Sequence, residues 1–345
     1  MIESVKNFVS RMGRAELINE LWTVYDNYKW DNTNLQEKGM FLNDPIKETA
    51  TTKAFPDFYS DIRNATFIPR KNSWYQKIET EYGNFESKAR VIRSGTVVKG
   101  REIPTGQRSY DPGKANLIYL HWASALYPSV HAAAFRFAMP TLNNLNVIAV
   151  TAHGHNSIDK DLQGNPMTRT FTTMGELQGT LASLIMLTKN ISSESDKPTA
   201  VMGISMGGNA ALWESLLGES NVAQRFSIAS HLWYRPIFFN NSFRKMTNQY
   251  DERLALISRG FTTDYNLDDM EKVVITPEII RRNQNTHMVI TLEDNIISPD
   301  LSLRTKQLLQ IPESNCHYFS RDHKSIGLDF GLITQIFDKK LQELI

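Results

Sequence analysis

Hydrophobic and polar positions change rhythm several times along the chain. Residues 1–27 repeat apolar side chains at helical spacing: Val5, Phe8, Val9 and Met12 share a face that Leu17, Ile18, Leu21, Trp22 and Tyr25 continue. The pattern predicts an amphipathic helix. Residues 28–85 have no clear period, yet they hold Trp30, Phe41, Phe55, Phe58, Tyr59, Phe67, Trp74 and Tyr75 among prolines, asparagines and charges. That is too aromatic for a solvated tail. Residues 1–85 are therefore expected to form an N-terminal extension, helical at its start, packed on a main domain at 86–345.

Within the main domain the rhythm is that of alternating strands and helices. Lys88–Lys99 alternates as a strand does, and Glu102-Ile103-Pro104 with Gly106, Pro112 and Gly113 predicts a hairpin and a turn. Short apolar runs at Asn116–His121 and Asn146–Thr151 predict buried strands, with a helical segment between them around Val130–Leu142. A helix is expected over Met174–Lys189. A strand at Thr199–Ile204 and a helix at Met206–Leu217 follow, with Gly218 as the stop signal. Arg225–Ala229 reads as another strand. Such alternation predicts an α/β fold with a mostly parallel, doubly wound sheet covered on both faces.

Residues 231–286 break that rhythm. They contain His231-Leu232-Trp233-Tyr234, Phe238-Phe239 and helical runs at Phe243–Arg259 and Pro277–Asn283, and are expected to be an inserted helical cap. Regular order resumes with a strand at His287–Leu292, a helix at Leu301–Leu309 and a strand near Asn315–Phe319. A last helix at Gly327–Leu344 is expected to bury Leu328, Leu332, Ile336, Phe337 and Leu341.

Composition narrows the partners. The chain has 345 residues with 41% hydrophobic and 22% charged side chains, enough to build a large core. A net charge of +1 points to neither nucleic acid nor an anionic membrane as a partner. One cysteine, Cys316, excludes an intrachain disulfide framework and fits a reducing, cytoplasmic setting. Charges interrupt residues 1–25, so no signal-peptide core is expected there, and no apolar run approaches the roughly 20 residues of a membrane span.

One stretch carries a chemical motif. Between the strand at 199–204 and the helix at 206–217 stands Gly203-x-Ser205-x-Gly207, the G-x-S-x-G pattern of a nucleophile elbow. A strand that turns at once into a helix strains the serine backbone, and side chains two residues away would collide with the crossing elements. The turn lifts the serine hydroxyl above the sheet edge and aims the unpaired N–H groups of the new helix at the same space. A serine nucleophile needs a base and an acid that orients the base. After the strand at 287–292 come Glu293-Asp294-Asn295, and after the strand near 315–319 come Ser320-Arg321-Asp322-His323. The order is Ser205, Asp294, His323.

That order resembles the α/β-hydrolase superfamily, over roughly residues 88–345. His153-Gly154-His155-Asn156-Ser157 is similar to the family's G-H-G-x-S turn, and Thr291–Pro299 to the loop that carries its acid. His121 stands where the family often has His-Gly, although Trp122 here replaces the glycine. The resemblance implies a serine esterase or lipase-like enzyme with Ser205 as nucleophile, Asp294 as the acid and His323 as the base. It implies oxyanion donors at the backbone N–H of Met206 and of Ala123, with Trp122 and Ser124 as rivals for the second.

Trp122, His231, Trp233 and Phe238 are candidate substrate contacts. His153-x-His155 lacks a neighbouring carboxylate or cysteine cluster, so it reads as a turn and no metal is expected. No cofactor is expected either. The substrate is a small acyl compound; carboxylic ester is the default, and thioester, amide or acyl transfer would use the same residues. The remaining alternative is a catalytically inert binding module.

Overall fold

A computed structural model of the chain describes residues 54–80, 83–92, 95–98, 101–104, 110–121, 138–153, 159–160, 166–167, 174–218, 220–233, 270, 273–323 and 325–344. In chain order these carry α1 (Phe55–Ser60), β1 (Asn64–Arg70), β2 (Ser73–Thr80), β3 (Gly83–Val91), β4 (Gly95–Val98), β5 (Arg101–Pro104), β6 (Asn116–Leu120) and β7 (Asn146–Thr151). The two-residue β8 (Asp159–Lys160) and β9 (Pro166–Met167) follow, then α2 (Met174–Ser193), β10 (Thr199–Ile204), α3 (Met206–Leu217) and β11 (Val222–Ile228). The chain closes with α4 (Pro277–Asn283), β12 (Thr286–Thr291), α5 (Pro299–Leu308), β13 (Cys316–Phe319) and α6 (Phe330–Leu341).

Nine strands form one sheet in the order β1-β2-β3-β7-β6-β10-β11-β12-β13. From β7 to β13 every pairing is parallel, while β1, β2 and β3 join antiparallel at one edge. This is the α/β-hydrolase fold, a mostly parallel doubly wound sheet. The parallel strands are buried on both faces, as continuous apolar runs require: β6, β10 and β12 contain no exposed residue. Two apolar layers result. One packs Leu181, Leu184, Ile185, Ala210 and Trp213 of α2 and α3 against the sheet, and the other packs Phe330, Ile333, Phe337 and Leu341 of α6 against the opposite face.

Several expected elements are displaced. Residues 64–85 run as strands of the same sheet, and β1 reads as aperiodic because it is an edge strand exposed along almost its whole length. The strand expected at Lys88–Lys99 divides into β3 and β4, and β4 pairs with β5 as the expected hairpin. Pro277–Asn283, assigned to the cap, packs on α3 instead: Asn283 Nδ2 donates to Ser215 Oγ at 3.0 Å. The last helix buries Phe337 and Leu341 as expected, but its first turns face differently. A 3-10 turn at Ser325–Asp329 delays its start, which leaves Leu328 and Leu332 48% and 52% exposed and buries Phe330 and Ile333. Gly218 ends α3 with φ −76°, so its role is spatial rather than left-handed: a Cβ there would lie 2.4 Å from Glu214 Oε1. The helices expected at 1–27 and 243–259, and the part of the expected 130–142 segment before Ala138, lie outside the described residues. No helix among the described residues is long and apolar enough to cross a membrane.

A buried ion pair fastens α3 to the neighbouring strand. Arg225 of β11 donates Nε to Glu214 Oε2 at 2.8 Å with Nη2 at 2.7 Å, and both side chains are excluded from water. Glu214 also accepts from Ser220 Oγ, and Arg225 Nη1 donates to the Arg282 carbonyl at 3.2 Å. Removing one partner of such a pair strands the other charge in a dry interior. Glu214→Gln should therefore lower the unfolding free energy by about 3–5 kcal/mol, measured by urea denaturation. The Glu214→Leu/Arg225→Met pair should lose less than the single change, and equal or greater loss in the pair would overturn this account.

Candidate active site

The parallel strands end together, so the loops after β6, β7, β10, β11, β12 and β13 share one edge of the sheet. The connection leaving β6 runs to β7 on one side, and the connection leaving its neighbour β10 runs to β11 on the other. That makes the gap between the ends of β6 and β10 a topological switch point, where open α/β sheets bind ligands.

Ser205 stands at that gap. It is the N-cap of α3 with φ 52° and ψ −114°, a conformation that L-residues rarely adopt. The strain is held by a hydrogen bond on either side: Ser205 N–H donates to the Ile228 carbonyl at 2.8 Å, and its carbonyl accepts from Asn209 N–H at 2.9 Å. The flanking glycines are needed for space. A Cβ on Gly203 would lie 2.1 Å from the Gly207 carbonyl oxygen, and one on Gly207 would lie 2.2 Å from the Leu120 carbonyl oxygen. The Ser205 side chain caps no N–H of α3, so the first amides of that helix, from Met206 onward, keep their donors for the gap. The Met206 side chain is buried.

Two strands away, the loop after β12 holds Asp294. Its carboxylate is buried and receives four hydrogen bonds. Oδ1 accepts the N–H groups of Ile296 at 2.8 Å and Ile297 at 2.7 Å; Oδ2 accepts Thr291 Oγ1 at 2.8 Å and is 2.8 Å from His323 Nδ1. Burial pushes the carboxyl upward, but His323 and the backbone donors outweigh it and hold the acid below its ordinary range. With Asp294 ionised, His323 Nδ1 carries the proton and Nε2 is the free nitrogen. Among the described residues no hydrogen bond joins the Ser205 hydroxyl to the His323 ring.

The loop after β13 presents His323 by local means. Asp322 Oδ1 accepts Ser325 N–H at 2.7 Å while Ser325 Oγ accepts Asp322 N–H at 3.1 Å, a reciprocal cap at the start of the 3-10 turn. Arg321 donates Nε to Asp329 Oδ2 at 2.6 Å and ties the loop to the base of α6. Asp322 is thus committed to capping. Glu293 is exposed, and its N–H donates to the Arg321 carbonyl at 3.2 Å. Asp300 lies in the first turn of α5, whose N-cap is Ser298.

The remaining candidates divide. His121 Nε2 accepts Ala152 N–H at 3.0 Å and His153 Nδ1 accepts Glu86 N–H at 3.1 Å, so both rings tie strand ends to neighbouring backbone. Cys316 lies in the core with its thiol pushed up to about 11 by burial, so it carries no thiolate at neutral pH. No group of three His, Cys, Asp or Glu side chains among the described residues is arranged to hold a metal ion. Trp233 and His231 follow β11 on the site edge, both buried rather than exposed. Trp122, Ala123, Ser124, His155 and Phe238 lie outside the described residues. Chain leading to Ala123 departs beside the elbow, since the His121 carbonyl oxygen would be 2.8 Å from a Cβ on Gly207. Asn209 escaped the sequence reading: nothing marks an asparagine one turn into an apolar helix as part of a site.

No family model matches the chain, and no curated protein matches it. Solved structures do show likeness. An acetyl xylan esterase from Paenibacillus sp. R4 is 15% identical, with 90% of this chain and 99% of that one covered, at a TM-score of 0.48. Alpha/beta hydrolase domain-containing protein 10 from mouse is 12% identical, covering 82% of this chain and 100% of that one, at 0.43. An esterase from Pyrococcus furiosus is 13% identical, covering 84% and 95%, at 0.41. At these identities and TM-scores the likeness says nothing about substrate.

Burial of histidines at and behind the site has a consequence for stability. Burial pushes His231 down to about 3 and, helped by Lys340, His287 down to about 4, both from 6.5. Below pH 6.5 the unfolded chain takes up protons that the folded rings refuse, so stability is full above that pH and falls as the pH drops toward 4 and 3. The loss is about 1.4 kcal/mol per pH unit for each histidine. Urea unfolding should show a drop of about 2–3 kcal/mol between pH 6 and pH 5, reduced to about half in His287→Phe. A flat profile over that interval would contradict the assignment.

Proposed function

We propose that this chain of α/β-hydrolase fold is a serine hydrolase that cleaves a carboxylic ester through an acyl-enzyme. The observation that carries the reading is the Asp294–His323 pair at 2.8 Å on the same sheet edge as a serine held at φ 52°. A buried, fully hydrogen-bonded carboxylate does one thing for an imidazole that a solvated one does not: it fixes both tautomer and ring plane.

In this reading His323 Nε2 takes the Ser205 proton as Oγ attacks the acyl carbon. The tetrahedral oxyanion is met by Met206 N–H and a second donor at Ala123. The imidazolium then protonates the leaving alcohol, and the ester C–O bond breaks. Water enters by the reverse roles: His323 takes its proton, hydroxide attacks the acyl carbon, and Ser205 Oγ leaves with the proton returned. Each pre-aimed oxyanion donor contributes about 3 kcal/mol to the transition state. Trp122, His231, Trp233 and Phe238 are assigned to the substrate, taken to be a small acyl compound. The chemistry asks for no metal or cofactor.

A fluorophosphonate should label wild-type protein at Ser205, located by mass spectrometry of the intact chain and its peptides, and Ser205→Ala should not be labelled. Labelling of folded Ser205→Ala to the wild-type extent would sink the proposal. Asp294→Asn should keep its fold and lose a factor on the order of 10⁴ in turnover, because the imidazole adopts the wrong tautomer. Glu293→Gln, Asp300→Asn and Asp322→Asn should change turnover far less. An Asp294→Asn enzyme with near-normal turnover beside an inactive Glu293→Gln would move the acid to Glu293.

A further inference from the structure

The segment that follows β11 is treated unevenly. Ala229 leaves the strand at φ 47° with its N–H donating to the Val289 carbonyl at 3.0 Å. The next three residues have their backbone gripped by side chains from two helices. From α3, Asn209 Nδ2 donates to the carbonyls of His231 and Leu232, the latter at 3.3 Å, and Trp213 Nε1 donates to the Leu232 carbonyl at 2.8 Å. From α5, Ser302 Oγ donates to the Ser230 carbonyl at 3.1 Å and Thr305 Oγ1 accepts Leu232 N–H at 3.1 Å.

The side chains there are left unsatisfied. Among the described residues neither ring nitrogen of His231 has a hydrogen-bond partner, and Trp233 Nε1 and Asn209 Oδ1 have none either. All three residues are at least 95% buried. The Asn209 amide cannot be turned round to remove the problem, because its nitrogen is fixed by two carbonyls. Native interiors rarely leave such atoms unpaired, and each one costs stability. Four such atoms fall on the segment after β11 and on the α3 residue bonded to its backbone, one turn beyond Ser205, and no described residue supplies their partner.

The chemistry of that partner follows from the set. His231 lies within electrostatic reach of both Asp294 and His323, and its buried ring stays neutral at physiological pH. A neutral imidazole offers one donor and one acceptor. Trp233 adds a donor and Asn209 an acceptor. Two donors and two acceptors match hydroxyl groups, each of which both gives and receives. A carboxylate could use only the donors and would face Asp294; a cation could use only the acceptors and would stand near Arg304, whose guanidinium lies 6.0 Å from the Trp233 ring centroid.

We propose that Asn209, His231 and Trp233 form a neutral polar subsite that takes hydroxyl groups of the substrate, so the preferred ester is hydroxylated rather than plain alkyl. This rests on Ser205 being the nucleophile, and it adds the substrate class. Because the atoms are shielded from bulk water, an analogue without the hydroxyls leaves them unpaired, the situation in which binding sites discriminate most strongly.

The test uses the intact protein and two matched pairs of esters. One pair places the hydroxyls on the alcohol, 2,3-dihydroxypropyl butyrate against propyl butyrate. The other places one on the acyl chain, propyl 3-hydroxybutyrate against propyl butyrate. At least one pair should show a preference in kcat/KM of about 30-fold or more for the hydroxylated ester, and which pair does so tells where the hydroxyls lie. His231→Phe should bring that ratio to within about threefold of unity. Trp233→Phe, which loses only the N–H, should lower it part of the way, and His231→Gln, which keeps a donor and an acceptor, should retain more of it than His231→Phe. If His231→Phe fails to fold, the wild-type ratio and Trp233→Phe still decide. Ser205 labelling by fluorophosphonate on the same preparations separates the two readings. A labelled wild-type enzyme with no preference in either pair, or with a preference untouched by all three variants, overturns the subsite and leaves the nucleophile standing. Protein that neither labels at Ser205 nor cleaves any of these esters overturns the catalytic reading and the subsite with it.

Discussion

Backbone crowding at the turn from β10 into α3 is the constraint on which the rest of the site depends. With a Cβ at residue 203 or 207 the turn could not close, because the nearest backbone atoms would stand little more than 2 Å away. Closing it fixes three things together. Ser205 is driven into a left-handed conformation, the first amides of α3 face the gap beside β6, and α3 itself lies flat enough on the sheet for Trp213 to be fully buried. The strain at Ser205, on the order of 1–3 kcal/mol, persists because the surrounding hydrogen bonds leave the chain no neighbouring conformation. Packing supplies the opposing term: Trp213 meets Phe55 edge-on at 4.9 Å and ties its indole nitrogen to Leu232.

Charge is distributed with the same economy across the two ends of the strands. At the carboxyl edge one acid is kept ionised in a buried place, and it is stabilised by donors that are themselves fixed: two amides of its own loop, a threonine and an imidazole. Toward the other edge the Arg225–Glu214 pair satisfies its charges internally and holds the far end of α3. The buried histidines between are treated differently, by keeping them neutral. His287 stacks on Phe226 at 5.1 Å, and His231 stands near Asp294 without becoming its partner. Among the described histidines only His323, with its side chain 17% exposed, is both paired to a carboxylate and open to solvent. The proposed role of general base requires proton exchange with substrate and water, and that exposure suits it.

The parallel half of the sheet was legible in the sequence because its inner strands β6, β7, β10 and β12 are runs buried on both faces, bounded by turns. Asn146–Thr151 was read to the residue for that reason. The elbow was legible because steric exclusion leaves a mark at fixed spacing, and the acid loop because Asp294 follows a strand end directly. Beyond these, the local signal gave out. β1 is an edge strand exposed along almost its whole length, so it carries no apolar face, and β2 is paired on both sides but places the polar Gln76 between Trp74 and Ile78 on its buried face, which hides the alternation in the sequence. The inner face of α6 was misread because a 3-10 turn shifts the phase of Leu328 and Leu332 relative to a continuous helix. Asn209 was invisible for a different reason. Its role comes from contacts with residues 22 and 23 positions away, which no local pattern encodes.

The segment 229–233 connects these observations. Ser205 and Asp294 stand at the ends of strands separated by β11, and the chain leaving β11 is the only strand end between them. That segment is bonded to α3, which begins after Ser205, and to α5, which begins just after the Asp294 loop. Its backbone therefore acts as a cross-brace: displacement of either helix must break side-chain bonds to a strained turn. A catalytic serine and an acid–imidazole pair have to meet within a few tenths of an ångström, a tolerance that loops attached only at their own strand ends do not ensure. Bracing through backbone leaves side chains at the brace free for other work. On this sheet edge those side chains are a histidine and a tryptophan whose polar atoms meet no partner among the described residues, and in the proposed reading the element that braces Ser205 against the Asp294–His323 pair also meets the substrate.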